Sequence, residues 1–247
     1  MKKIIFIFPL PALVLLSANA QINIDSTAIV PMISATYAYH FPGGDLVNRF
    51  GDNSSVGAAF SIKTNNNWIF GIDGNFLFGN NVKEGGILDG ISTEKGEIID
   101  EDGGYAEINF LERGLLTSFK LGKLFSFIGP NRNSGLAIIG SAGLLQHKIR
   151  IETHAPQLND DYKKGYDRLT NGFALSEFIG YLYMGNKRMI NLFIGFEFTQ
   201  AWTQNRRSYN FEAMEKDETK RFDILSGIKI GWVIPFYKRV PDEYYYY

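Results

Sequence analysis

The sequence predicts an all-β fold, an eight-stranded antiparallel up-and-down transmembrane β-barrel with long extracellular loops and short periplasmic turns, and three observations predict it. Segments of roughly ten residues alternate apolar side chains with small or polar ones. The gaps between them alternate between long and polar and short and turn-like. A secretory leader precedes both. In the leader, Lys2 and Lys3 are the basic start, Ile4 to Leu16 the apolar run, and Ser17-Ala18-Asn19-Ala20 the small-x-small cleavage pattern. Residues 1–20 therefore read as a cleaved signal peptide. Its apolar run falls short of the roughly 20 residues of a helical span and contains Pro9 and Pro11.

Composition narrows the alternatives. A formal net charge of −1 gives no electrostatic argument for nucleic acid. With no cysteine, the chain has no disulfide, no thiolate metal site and no lipid-attachment cysteine. It is 15% aromatic with 26 glycines, and no later apolar run is long enough for a helical span, which leaves a soluble all-β protein or a membrane barrel. Residues 21–236 are read as the barrel and 237–247 as a periplasmic aromatic tail.

The strands follow in order. In the first, Ile33, Ala35, Tyr37, Tyr39 and Phe41 oppose Ser34, Thr36, Ala38 and His40. The second, Val56 to Lys63, sends Val56, Ala58, Phe60 and Ile62 out and Ser61 and Lys63 in; an Asn-rich turn at Thr64 to Asn67 leads to the third. There Trp68, Phe70, Ile72, Phe76 and Phe78 face out against Gly71, Asp73 and Asn75. The fourth, Leu115 to Lys123, opposes Leu115, Thr117, Phe119 and Leu121 to Ser118, Lys120 and Gly122, and Pro130 to Gly135 turns the chain into the fifth, Leu136 to His147. The sixth, Ala174 to Met184, has no clear phase, since Phe178 and Leu182 oppose Ile179 and Tyr181. After the turn Gly185 to Arg188, the seventh opposes Ile190, Leu192, Ile194, Phe196 and Phe198 to Asn191, Gly195, Glu197 and Thr199. The eighth, Phe222 to Phe236, opposes Ile224, Ile228, Ile230, Trp232 and Ile234 to Asp223, Gly227, Lys229 and Gly231. The long connections are Pro42 to Ser55, Gly79 to Arg113, Lys148 to Gly172 and Ala201 to Arg221, and within the second Tyr105 to Phe110 reads either as an extension of the fourth strand above the membrane or as a separate hairpin. Alternation alone fits a lipocalin-like soluble barrel turned inside out. Aromatic residues gathered at strand ends, among them Tyr37, Tyr39, Trp68, Phe78, Trp202 and Trp232, favour two membrane girdles.

On these strands, on the leader ending Ala18-Asn19-Ala20 before Gln21, and on a last strand Ile228 to Phe236 with alternating apolar positions ending at an aromatic, the chain resembles the small outer-membrane β-barrels of Bacteroidota, broadly OmpX-like or PorT-like. That resemblance implies a location in the bacterial outer membrane, with both termini periplasmic, and no particular activity. The chain departs from the pattern by continuing past Phe236 through Tyr237 to the run Tyr244, Tyr245, Tyr246 and Tyr247. This tail suits a protein partner as well as it suits an interfacial anchor.

An eight-stranded barrel has a lumen that its own side chains fill, which disfavours conduction. The inward set is read as Lys63, Asp73, Lys120, Glu177, Glu197, Asp223 and Lys229, and buried charges of both signs predict a cross-lumen ionic network. Catalysis has little support. His40, His147 and His154 are all placed near the outer rim and read as bonded to loop backbone; His147 is followed by Lys148 and Ile149, without the serine two residues on that lipid A deacylases carry. No ligand spacing supports a metal at His40, His147 and Asp45, and the acidic stretch around Glu94, Glu97, Asp100, Glu101 and Asp102 lacks an EF-hand pattern. Arg49-Phe50-Gly51-Asp52 reads as a compact loop, Asp160 to Arg168 has an interface-like composition, and Arg206, Arg207 and Arg221 suit lipopolysaccharide phosphates. The expectation is a non-enzymatic outer-membrane barrel without cofactor, an accessory or structural subunit of a larger complex for protein insertion, secretion or import. Its alternatives are a free-standing barrel that binds a surface ligand or stabilises the envelope, a lipid-modifying enzyme and a narrow channel. Expected partners are outer-membrane lipid and lipopolysaccharide and other outer-membrane or periplasmic proteins.

Overall fold

A computed structural model of the chain describes residues 29–93, 97–100, 102–156, 158–185 and 190–236. The leader and the tail, with Tyr237 and Tyr244 to Tyr247, lie outside the described residues. Eight strands, β1 (Val30–Gly44), β2 (Asn53–Lys63), β3 (Trp68–Gly79), β4 (Ile108–Phe125), β5 (Gly135–Thr153), β6 (Thr170–Met184), β7 (Asn191–Asn205) and β8 (Lys220–Pro235), follow one another around a ring. Each pairs antiparallel with its sequence neighbours, and β1 pairs with β8, so the barrel closes without an edge. The connections before β2, β4, β6 and β8 emerge at one end, called here the loop end, and those before β3, β5 and β7 at the other, the turn end.

The outer wall is unsuited to water. Along β7 the outward row runs Leu192, Ile194, Phe196 and Phe198, and Phe119, Leu144 and Ile230 are exposed elsewhere on the ring. Such a continuous apolar surface calls for lipid. From Leu192 to Trp202 a tilted strand climbs about 25 Å, the height of an outer-membrane apolar band. Aromatic residues edge this band. At the loop end Phe173 stacks on Trp202 with ring centroids 6.2 Å apart, and at the turn end Lys123 lies 5.3 Å from the Trp68 ring.

Several strands reach further than their sequence pattern predicts, β1 running to Gly44 and β7 to Asn205 through residues read as connections. The β4–β5 hairpin continues to Ile108, the extension of the fourth strand that the sequence left open, and to Thr153, through a stretch expected to be loop. Here the outward positions become Arg113, Lys148, Arg150 and Glu152 while Ile149 and Ile151 stay buried inside. The lipid-facing alternation stops because the hairpin has risen into water, where it keeps an apolar inner face and a charged outer one.

Inside, two apolar clusters fill the ends of the barrel. At the turn end Val30, Met32, Ile69, Leu124, Phe178, Leu182, Met184 and Val233 pack together. The β4–β5 turn folds beneath them, where Asn131 Nδ2 donates to the Met184 carbonyl at 2.7 Å. At the loop end Leu77, Leu116, Leu145 and Leu225 from the wall join Leu46, Phe50, Ile87, Ile98, Leu158 and Tyr166 from the loops. The barrel core therefore continues upward into a packed crown.

The sixth strand corrects the reading of Glu177. Phe178 and Leu182 point inward, and Glu177 points out, exposed, in the row Phe173, Leu175, Glu177, Ile179, Tyr181, Tyr183. Space decides the phase. An added Cβ at inward Gly180 or Gly195 would lie 2.5 or 2.6 Å from Phe178 Cζ, so the two glycines are what admit the ring to the lumen. Phe178 in turn meets Phe193 edge-on at 5.5 Å.

Candidate functional site

The lumen and the crown concentrate the polar chemistry. At mid-barrel, Lys229 on β8 lies 2.7 Å from Glu197 on the neighbouring β7 and 3.7 Å from Asp73 on β3 across the lumen. Lys120 stands 3.4 Å from the same Asp73 oxygen, and Ser118 donates to the other at 2.5 Å. All four charged side chains are largely buried. With charges balanced two against two, the belt satisfies the condition on which charges persist in a low-dielectric interior. It also crosses the bore. Below it a cavity of ≈ 60 Å³, lined in part by Ser34, Ser61 and Phe178, ends against the turn-end plug.

The other residues singled out from the sequence lie apart from this belt. Lys63 is buried at the turn end, its Nζ 3.1 Å from Asn67 Oδ1 of the adjacent turn. Asp223 belongs to the loop end, where it accepts from His147 Nε2 at 3.0 Å and from Thr203 Oγ1 at 2.5 Å. Glu177 is outside the barrel altogether. The histidines lie toward the loop end, as read, but two of them bond side chains rather than loop backbone. His40 Nε2 meets Ser55 Oγ at 3.0 Å, and His147 meets Asp223, both buried in the lumen and bonded to side chains; His154 lines an outer cleft. Asp45 accepts the Phe222 amide at 2.7 Å, a backbone clasp. Asp100 likewise accepts the amides of Asp102 and Gly104 within a turn, while Glu94 and Glu101 lie outside the described residues. No group of three or more metal-ligating side chains occurs among the described residues.

The His147, Asp223 and Thr203 arrangement has the wrong order for nucleophilic catalysis. A nucleophilic hydroxyl must sit on the imidazole nitrogen opposite the acid. Here the threonine hydroxyl bonds the acid itself, and the Phe50 ring packs edge-on against the imidazole at 5.6 Å.

In the crown, one ionic clamp joins all four long loops. Arg49, in the short helix α1 (Leu46–Arg49) after β1, lies 3.0 Å from Glu84 of the β3–β4 loop and donates to Thr170 Oγ1 at the start of β6. Arg168 of the β5–β6 loop pairs with the same Glu84 and with Glu212 of the β7–β8 loop. Arg168 holds this position in a left-handed backbone conformation, φ 50°. Each partner comes from a different loop and lies among other charges of that loop, so no local spacing could have joined them.

Beside the clamp a cleft of ≈ 840 Å³ opens between the raised β4–β5 hairpin and the 160s segment. Arg113 and Lys148 are cross-strand partners on its wall, one outward step above Leu115 and Phe76 of the apolar band. Arg150, Lys163, Lys164 and Arg207 complete the cationic lining, against Glu107, Glu152, Asp160 and Asp167. Arg207 is held bidentately by Asp167, at 2.8 and 2.5 Å, which raises its guanidinium above its ordinary value through that hydrogen bond. Arg113, by contrast, meets only the Glu112 carbonyl oxygen, at 2.7 Å. Of the three arginines read from sequence as phosphate ligands, only Arg207 faces this cleft. Arg206 bonds Asn171, and Arg221 bonds Asp217 at 2.6 Å.

No family model and no curated protein matches the chain. Among solved structures it is similar to Ail, the attachment invasion locus protein of Yersinia pestis, with 13% identity over 83% of this chain and 99% of that one. The TM-score is 0.37 to one Ail structure and 0.34 to another, in complex with the heparin analogue sucrose octasulfate. At these values neither likeness adds to what the closed ring of eight strands and its apolar wall establish directly.

Proposed function

We propose that this protein is a non-conducting, non-enzymatic outer-membrane barrel whose rigid crown binds anionic groups of the surrounding lipopolysaccharide, with its loop end extracellular and both chain ends periplasmic. The observation that carries the reading is the placement of the cationic cleft: Arg113 and Lys148 stand immediately above the apolar band, at the depth of outer-leaflet headgroups. Arginine and lysine side by side suit phosphate, the guanidinium by its fork and the ammonium as a point charge. The four-loop clamp supports it, since a crown held as one body loses little entropy on binding. The crossed bore supports a closed barrel, and the misordered His147 and Asp223 pair supports a non-catalytic one.

The test is binding of the detergent-solubilised barrel to purified lipopolysaccharide before and after removal of its phosphates. The phosphorylated form should bind with a steep salt dependence, and R113Q/K148Q should weaken it by roughly tenfold or more. Equal affinity for the dephosphorylated form would overturn the reading. A second reading, an accessory subunit of a larger outer-membrane assembly, is favoured by one observation, the carboxylate on the lipid face. In that reading the aromatic tail, Tyr237 and Tyr244 to Tyr247, is a further partner contact on the periplasmic side.

A further inference from the structure

Glu177 sits where a barrel facing only lipid has no use for a charge. Along β6, six residues separate it from Tyr183 at the turn-side girdle and four from Phe173 at the loop-side one. At about 2.5 Å of height per residue of a tilted strand, that places it roughly 10 Å or more inside either boundary. Its side chain is exposed and makes no hydrogen bond or ion pair among the described residues. A bare carboxylate in hydrocarbon is costly and, where it persists within a membrane, marks a function. Its surroundings are shaped for contact. Its cross-strand neighbours are Gly140 on β5 and Phe198 on β7, with Ala142 and Gln200 one outward step closer to the loop end. Two side chains small enough to leave a notch thus lie to one side of the carboxylate, and an amide lies diagonally on the other.

We infer that this face of β5 to β7 docks another membrane-spanning chain that presents a Lys or Arg side chain to Glu177. A second copy of this chain has no such cation among its described residues. Copies inserted in one direction meet at equal depth, and no outward Lys or Arg lies between the girdles among the described residues. Lys123 belongs to the turn-side girdle with Trp68, while Arg113, Lys148, Arg150 and Lys220 stand above the apolar band. The occupant is therefore a different protein. The inference rests on the accessory-subunit reading and narrows it to one face and one chemistry.

A photo-crosslinking residue placed at Leu175, with Ile62 on the opposite wall as control, tests it in intact cells. The expected product is a protein adduct from position 175 only, mapping to an apolar transmembrane segment with Lys or Arg at or next to the captured residue. In parallel, the full-length tagged chain extracted in mild detergent should migrate as a complex, and E177L as a folded, barrel-sized species whose adduct is lost. A captured segment without Lys or Arg would overturn the inference and leave the accessory-subunit reading standing; adducts to lipid alone would overturn both. Adducts between differently tagged copies of this chain, or an E177L complex of unchanged size, would also overturn the inference.

Discussion

Glu197 and Glu177 are carboxylates on adjacent strands, offset by a single residue in register: Phe178 pairs with Glu197 and Glu177 with Phe198. One points into the lumen and is 2.7 Å from Lys229; the other points into lipid and has no partner among the described residues. The protein wall between them is one strand thick. The difference teaches that the barrel tolerates mid-membrane charge by supplying its opposite, and that Glu177, for which the described residues supply none, calls for an answer from outside.

The sharpest way to break the comparison is to remove the cation inside. Lys229→Met leaves Glu197 without its pair and Asp73 with Lys120 alone. The expected loss is about 3–5 kcal/mol, the cost of stranding a buried charge. Reversible unfolding in denaturant of the barrel refolded into lipid measures it. A loss below about 1 kcal/mol would mean that water enters the lumen and screens the belt.

The next contrast is one of sign. Glu197→Leu should destabilise the isolated barrel, because Lys229 is left facing Asp73 alone at 3.7 Å. Glu177→Leu should stabilise it by about 1–2 kcal/mol, since a lipid-face carboxylate is penalised near the bilayer centre, though less than a cation there. The same unfolding measurement on the two variants decides it. If both changes shift stability in one direction, the two faces do not differ as drawn.

Much of this contrast was legible in the sequence, and the exception is instructive. The seventh and eighth strands alternate cleanly, so Glu197 and Lys229 could be assigned to one face by period alone. The sixth could not, because large apolar residues occupy both of its faces. Its phase is fixed by glycines that only the folded barrel brings to Phe178: Gly195 lies on the next strand, and its cross-strand partner is Gly180. The crown was less legible still. The long loops were recognisable as connections, but the Arg49, Glu84, Arg168 and Glu212 clamp depends on closure of the ring, which alone sets four distant segments side by side. The cationic cleft was hidden by a different effect. Arg113 and Lys148 end the lipid-facing pattern and so read as the start of loops, although their strands run on.

Asp217, in the β7–β8 loop, is an intermediate case between the two glutamates, with both a partner and some access to water. Burial pushes its carboxyl up, but the Arg221 guanidinium at 2.6 Å and the Thr219 amide at 3.0 Å outweigh burial and hold it below the ordinary 3.8. Because the folded value is depressed, its contribution is fully present above the ordinary carboxylate range and is lost as pH falls through the folded value. Acidification below about pH 4 should therefore loosen this loop. The effect is small, no more than about 1 kcal/mol for a partly solvated pair. Amide hydrogen exchange across residues 215–221 between pH 5 and pH 3, corrected for intrinsic rates, reads it directly. Protection that falls in the loop and in β7 together would mean that crown and barrel open as one unit, and that the partition between paired, half-paired and unpaired carboxylates does not govern local stability.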